Sequence, residues 1–127
     1  MTFLIDTHVF LWATTAPEKL SQTASSLLKD PASTVLVSVV VPWELAIKTN
    51  SGKLNAAKVL GDFEPRAMRY GFAMQAIQTA HAVRSGLLPF HHRDPFDRLL
   101  AAQSLDLNIP LVSRDAMFDL YRVHRIW

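Results

Sequence analysis

The sequence predicts an α/β fold, a three-layer α/β/α sandwich around a central, mainly parallel sheet of four to five short strands. Three observations carry this. Strand-like and helix-like segments alternate along almost the whole chain, which requires right-handed βαβ crossovers. The second strand segment is a run of β-branched and apolar residues without alternation, as expected of a strand covered on both faces. The chain's 127 residues, 50% apolar and 19% charged, suit one domain spanning residues 1–127. A domain of this size buries roughly 65% of its extended-chain surface, enough for a core without disulfides. The absence of cysteine agrees, and it also removes thiol nucleophiles and zinc ribbons.

Taken in order, Thr2-Phe-Leu-Ile5 reads as a short buried strand. Leu20, Ala24, Leu27 and Leu28 fall at helical spacing within Leu20 to Asp30, and Pro31 ends that helix. Thr34-Val-Leu-Val-Ser38 is the second strand. From about Val40 the pattern turns helical through Trp43, Ala46 and Ile47, and Asn50-Ser-Gly52 closes it. A helix over Ala56 to Arg69, a strand near Phe72 to Ile77 and a helix from Thr79 to Ser85 follow. Asp94-Pro-Phe-Asp97 opens a helix with Asp94 at the N-cap, Pro95 at the first position and Asp97 at the third, and Asn108-Ile-Pro110 ends it. Leu111-Val-Ser113 reads as another strand, and Val123 to Trp127 as an edge strand.

In such sheets ligands bind beyond the carboxyl ends of the strands. Asp6 follows the first strand, Glu44 lies one helical turn after the second, and Asp115 sits two residues beyond Ser113. Asp97, in the first turn of its helix, is a fourth candidate for the same edge. Two unit charges 4 Å apart cost about 4 kcal/mol at an effective dielectric of about 20, so such a cluster requires a cation. Carboxylates select Mg²⁺ or Mn²⁺, which keep several waters and leave room for phosphate oxygens. The expected chemistry is phosphodiester hydrolysis by a metal-activated water. Setting the four acids aside leaves seven against thirteen basic residues, about +6 in place of the formal +2, which suits a polyanionic substrate. With no cysteine, and with the histidines other than His91 and His92 scattered, a zinc site is not expected and any metal is expected to be held by oxygen.

Each candidate also has a plainer role. Glu44 could pair with Lys48 at i, i+4, Asp94 is sufficiently explained as an N-cap, and Asp115 could cap a short Ala116 to Leu120 helix. His91, His92 and Arg93 form a basic cluster before Asp97, from which Arg93, or Arg98 beyond it, could contact RNA phosphates. Trp12, Trp43 and Trp127 read as core or interface residues rather than base-stacking platforms.

Four stretches together resemble one family across essentially the full length: Phe3-Leu-Ile-Asp6-Thr-His8; Ser38-Val-Val-Val-Pro-Trp-Glu44-Leu-Ala-Ile-Lys48; His92-Arg-Asp94-Pro-Phe-Asp97-Arg-Leu-Leu-Ala-Ala-Gln103; and Leu111-Val-Ser113-Arg-Asp115-Ala-Met-Phe118. The chain resembles the PIN-domain ribonucleases and, within them, the VapC-type toxins of toxin-antitoxin pairs. The resemblance implies a PIN-like sandwich and a metal-dependent endoribonuclease with Asp6, Glu44, Asp97 and Asp115 as its acidic quartet. It also implies a homodimer and a cognate antitoxin that blocks the site. Ser113 stands where the family often has Thr in a Thr-x-Asp arrangement, placed to orient a carboxylate or a water. His8 stands where many members have a small polar residue such as Asn.

Two rivals differ in class. An aspartyl-nucleophile phosphatase would want a second Asp two residues after Asp6, where this chain has His8. A catalytically silent adaptor of RNA or protein would have no need of all four acids. An acid and a histidine interrupt the N-terminal apolar run, and no segment nears the roughly 18 uninterrupted apolar residues of a membrane span. The expected location is therefore the cytoplasm, with no membrane association.

Overall fold

A computed structural model describes residues 1–127. Its centre is a 5-stranded sheet built from β1 (Thr2–Ile5), β2 (Thr34–Ser38), β3 (Phe72–Gln75), β4 (Leu111–Val112) and β5 (Arg125–Ile126). The order is β3-β2-β1-β4-β5 and every neighbouring pair is parallel. Helices α1 (Thr7–Thr15), α2 (Gln22–Lys29), α3 (Val40–Asn50), α4 (Ala57–Gly61), α5 (Phe63–Arg69), α6 (Thr79–Leu87) and α7 (Pro95–Leu107) flank the sheet. Single 3₁₀ segments cover Pro17–Lys19 and Ala116–Tyr121.

The apolar run of β1 has a cause in the topology. Phe3, Leu4 and Ile5 point to alternate faces, yet all three are fully buried, because β1 is the central strand of a sheet covered on both sides. Each such side chain is worth about 1.5–3 kcal/mol of burial. Register then fixes the functional edge. Leu4 aligns with Leu36 and Leu111, and Ile5 with Val37 and Val112, so the residues leaving β1, β2 and β4 emerge side by side. The chain builds outward from β1 to β2 and β3, then returns to place β4 on the other flank of β1. Strand order therefore reverses between β1 and β4, where a parallel sheet opens its crevice.

Several boundaries differ from expectation for identifiable reasons. Helix α1 lacks a helical period in sequence, because Val9, Phe10, Leu11, Trp12 and Ala13 run consecutively and β-branched Thr7, Val9, Thr14 and Thr15 weaken local propensity. It forms because Val9 and Phe10 enter the core and Asp6 caps it. The helix expected over Ala56 to Arg69 is two helices, since Asp62 adopts a non-helical φ of −136°. Pro65 is accommodated in the first turn of α5, where its missing N–H costs nothing. The first expected helix starts two residues later, with the Ser21 hydroxyl accepting from Ala24 N–H at 3.0 Å. Helix α6 runs two residues longer than expected, to Leu87. Strands β3, β4 and β5 are shorter than their apolar runs. Helix α7 begins as expected: Asp94 Oδ1 accepts from Phe96 N–H at 2.9 Å and from Asp97 N–H at 3.4 Å. Its end is set by Asn108 in the left-handed conformation, φ 53°.

Candidate active site

The residue that leaves β1, Asp6, is buried and held on both oxygens. Oδ1 accepts from Val9 N–H at 2.8 Å, which caps α1, and Oδ2 accepts from the Ser113 hydroxyl. Ser113 follows β4 and in turn accepts from Asp115 N–H at 3.0 Å, so one buried hydroxyl joins two acids of the cluster. Asp115 also caps the 3₁₀ segment after it, accepting from Met117 N–H at 2.9 Å. Glu44 enters from the second turn of α3 and is only 2% exposed. The Thr7 hydroxyl donates to its Oε1 at 2.6 Å, and Lys48 pairs with Oε2 one turn on. Asp97 comes from the first turn of α7 and faces the same space.

Two cationic or proton-donating groups meet these acids. Lys48 Nζ pairs with Glu44 and lies 3.9 Å from Asp94 Oδ2. His92 Nε2 lies 2.9 Å from Asp97 Oδ2 and 3.6 Å from Asp115 Oδ2. The other ring nitrogen, Nδ1, accepts from Asp94 N–H at 3.3 Å, which leaves the Nε2 proton to be donated to Asp97. His92 sits inside the acid cluster, with one donor atom from each of His92, Asp97 and Asp115 within 4.8 Å of the others.

The loop that presents His92 is tied down by α7. Arg98 is buried, and its guanidinium donates to the carbonyls of Pro89 at 2.8 Å, Ser85 at 2.9 Å and Leu88 at 2.9 Å while stacking on Phe90 at 4.6 Å. It also donates to Tyr121 Oη at 3.4 Å, which accepts the His92 main-chain N–H at 2.8 Å. Arg98 is thereby turned inward. The expected RNA-phosphate contact of this residue is replaced by a clasp on its own chain, because a guanidinium's several donors suit a turn whose carbonyls converge on it.

Crowding of like charge is visible in the electrostatics. Burial raises the Asp97 carboxyl to about 8, with Asp94, Glu44, Asp6 and Asp115 all pushing in the same direction. Burial also raises Asp6, against the lowering effect of its Ser113 and Val9 hydrogen bonds. For Lys48, burial works against the charged form, but the bond to Glu44 outweighs it and holds the ammonium above its ordinary range.

All four expected acids and Ser113 are therefore brought together. Asp94 stands at the edge as the cap of α7. Arg93 and His8 are exposed, and Trp43 is 48% exposed with its ring edge-on to Phe96 at 5.0 Å. Sequence reasoning missed Thr7 and Tyr121. Thr7 flanks a site acid and so carried a positional signal; Tyr121 acts through a contact 29 residues away in sequence and carried none.

The donor set fits a small divalent cation. Its acids are hard oxygen donors, they outnumber the cations among them, and burial, followed by the neighbouring acids, raises the Asp97 carboxyl to about 8.

A family model described as PIN domain matches residues 3–123. Among solved structures, the chain is similar to VapBC2 from Rickettsia felis bound to a DNA fragment from their promoter, at 14% identity and a TM-score of 0.70, covering 99% of this chain and 98% of that one. It is similar to VapC20 from Mycobacterium tuberculosis, described as a sarcin-ricin loop cleaving toxin, at 15% identity, a TM-score of 0.66 and 95% coverage of both chains. A toxin-antitoxin complex from Klebsiella pneumoniae matches at 15% identity and a TM-score of 0.62, covering 98% of this chain and 95% of that one. No curated protein sequence matches the chain.

Proposed function

The chain belongs to the PIN domain family, and from that premise we propose that it is a metal-dependent endoribonuclease, the toxin of a toxin-antitoxin pair. The observation that carries this reading is the convergence of Asp6, Glu44, Asp97 and Asp115 at the reversal of strand order, where Asp97 is raised to about 8 by its burial and then by its acidic neighbours. The toxins and toxin-antitoxin complexes among its structural neighbours support it.

The four acids would hold Mg²⁺, with Mn²⁺ as a substitute. Bound there, the cation acidifies water and neutralises charge on the phosphate oxygens. The chain's own groups prepare this. Val9 N–H and the Ser113 hydroxyl fix both oxygens of Asp6; Thr7 and Lys48 fix Glu44; His92 aims Asp97. A site assembled from locked side chains loses little on engaging a transition state. Hydrolysis adds water across the bond between phosphorus and the 3′-oxygen, giving a 5′-phosphate and a 3′-hydroxyl. Arg93, exposed beside the cluster, is the candidate phosphate contact. A homodimer, an antitoxin that covers the site and a cytoplasmic location complete the reading; no helix is long and apolar enough to cross a membrane.

Purified protein incubated with total RNA and Mg²⁺ or Mn²⁺ should yield discrete fragments whose ends are 5′-phosphate and 3′-hydroxyl, and chelation should stop it. Asp6→Asn should abolish the fragments while the protein still gives a folded circular-dichroism spectrum. Undiminished cutting by Asp6→Asn would overturn the assignment.

A further inference from the structure

We propose that the hollow beside the acid cluster binds one unpaired nucleotide of the RNA next to the scissile bond, its base against Trp12 and His8 and its phosphate against Arg114. The proposal rests on the endoribonuclease reading. The hollow measures about 420 Å³, is open to solvent, and shares Asp6 and Asp115 with the acid cluster. Its remaining walls include His8, Trp12 and Arg114. A space of this size adjoining the acids can take a base and its sugar without reaching the core.

Two features make it a site for a planar, anionic ligand. The first is the aromatic wall. The Trp12 ring is flanked by Trp127 at 5.9 Å and by His8 at 5.5 Å, so the indole is packed in place rather than free to rotate, and it still borders the hollow. Flat aromatic faces take an unstacked base of any identity, which favours a single strand over a duplex. This gives Trp12 a role beyond the core or interface position expected from sequence.

The second is the state of Arg114. Arg66, Arg69, Arg84 and Arg125 each pair with an aspartate, and Arg98 is spent on carbonyls. Arg114 lies between Ser113 and Asp115 in the chain, is exposed, and forms no ion pair with the acids beside it. Arg93 and Arg122 are likewise exposed and without an ion pair, but Arg114 is the one of the three that lines the hollow. Beyond Trp12 a second hollow of about 620 Å³ is lined in part by Lys19 and Lys58, both exposed and unpaired. Trp12 borders both, so a basic track leads from the acids past the indole, as a continuing strand requires.

The test measures binding apart from cutting. A labelled single-stranded oligoribonucleotide is titrated with protein in EDTA and followed by fluorescence anisotropy. Arg114→Gln should weaken binding several-fold and flatten its salt dependence, and Trp12→Leu should weaken it about tenfold where Trp12→Phe does not. Because Trp12 also packs on Trp127, the unaltered protein is tested in parallel with oligonucleotides carrying one abasic position moved along the strand. With Mn²⁺, an abasic position next to the cut should lower kcat/KM about tenfold, and positions three or more away should not. Wild-type affinity in both Arg114→Gln and Trp12→Leu, a flat abasic series, or tighter binding of duplex than of single strand would overturn the proposal. Failure of the wild-type protein to cut any RNA would overturn the endoribonuclease reading instead, and the EDTA titrations would still decide whether the hollow binds a strand.

Discussion

Asp62 and Asp97 are both aspartates at the start of a helix, and they have opposite fates. Asp62 precedes α5 and is taken by Arg66 at 2.9 Å and Arg69 at 2.8 Å, which hold its carboxyl below the usual range. Asp97 opens α7 among four other acids and is raised to about 8, burial first and Asp94, Glu44, Asp6 and Asp115 after it. A chain with thirteen Lys and Arg residues had the means to match both. It placed two arginines on the acid that only steadies a surface and no Lys or Arg ion pair on the one that faces the crevice, whose partner is His92. Charge balance at the crevice is thus left to a ligand, and this separates a functional cluster from ordinary surface acids.

The contrast can be broken by exchanging roles. Asp97→Asn should lower RNA cleavage by at least about 10²-fold, the scale on which losing one preorganised electrostatic group acts, while Asp62→Asn leaves the rate unchanged. Fragment release from a fluorogenic RNA under saturating Mn²⁺ checks both, and equal losses would erase the distinction.

Next in size is His92, which touches Asp97 through its Nε2 proton. His92→Ala should weaken Mn²⁺ binding about tenfold by freeing the Asp97 carboxyl, with His92→Gln recovering part of the loss through its amide donor. Calorimetric titration reads the affinity, and the wild-type imidazole should show its proton on Nε2 in ¹H–¹⁵N spectra.

The smallest effect is on stability, and the two acids should respond to pH with opposite sign. Without metal, folded Asp97 holds a proton that the unfolded chain releases from about pH 4 upward, so stability declines between about pH 4 and 8. Asp97→Asn should therefore be more stable than wild type at pH 8.5 by about 1–3 kcal/mol, and nearly equal to it at pH 4. Asp62 is depressed, so its contribution is present above the unfolded value and is lost as pH falls through the folded one. Asp62→Asn should be slightly less stable at neutral pH and indistinguishable in strong acid. Urea unfolding in EDTA across this range checks both slopes.

What could be read from the residues followed physical range. The strands, the capped start of α7 and the four acids depend on local signals: unbroken apolar runs, an Asp-Pro-x-Asp start, an acid directly after a strand. Helix α1 was illegible because its stability comes from Val9 and Phe10 entering the core, which no periodicity announces. The inward turn of Arg98 was illegible for a related reason. A guanidinium before an apolar helix face looks available for phosphate until the carbonyls of Ser85, Leu88 and Pro89 are seen beside it. His92 was half legible: its basic cluster was visible, but its contact with Asp115 depends on tertiary approach.

The parallel order of the sheet has a consequence for the time at which activity begins. Asp6 leaves the ribosome early, yet both the hydroxyl that holds it and Asp115 follow β4, which lies directly beside β1 and cannot pair with it until the intervening helices are in place. A nascent chain therefore carries an incomplete acid cluster until β4 docks beside β1. If the protein cuts RNA, a growing chain has no complete acid cluster with which to cut its own message before β4 docks.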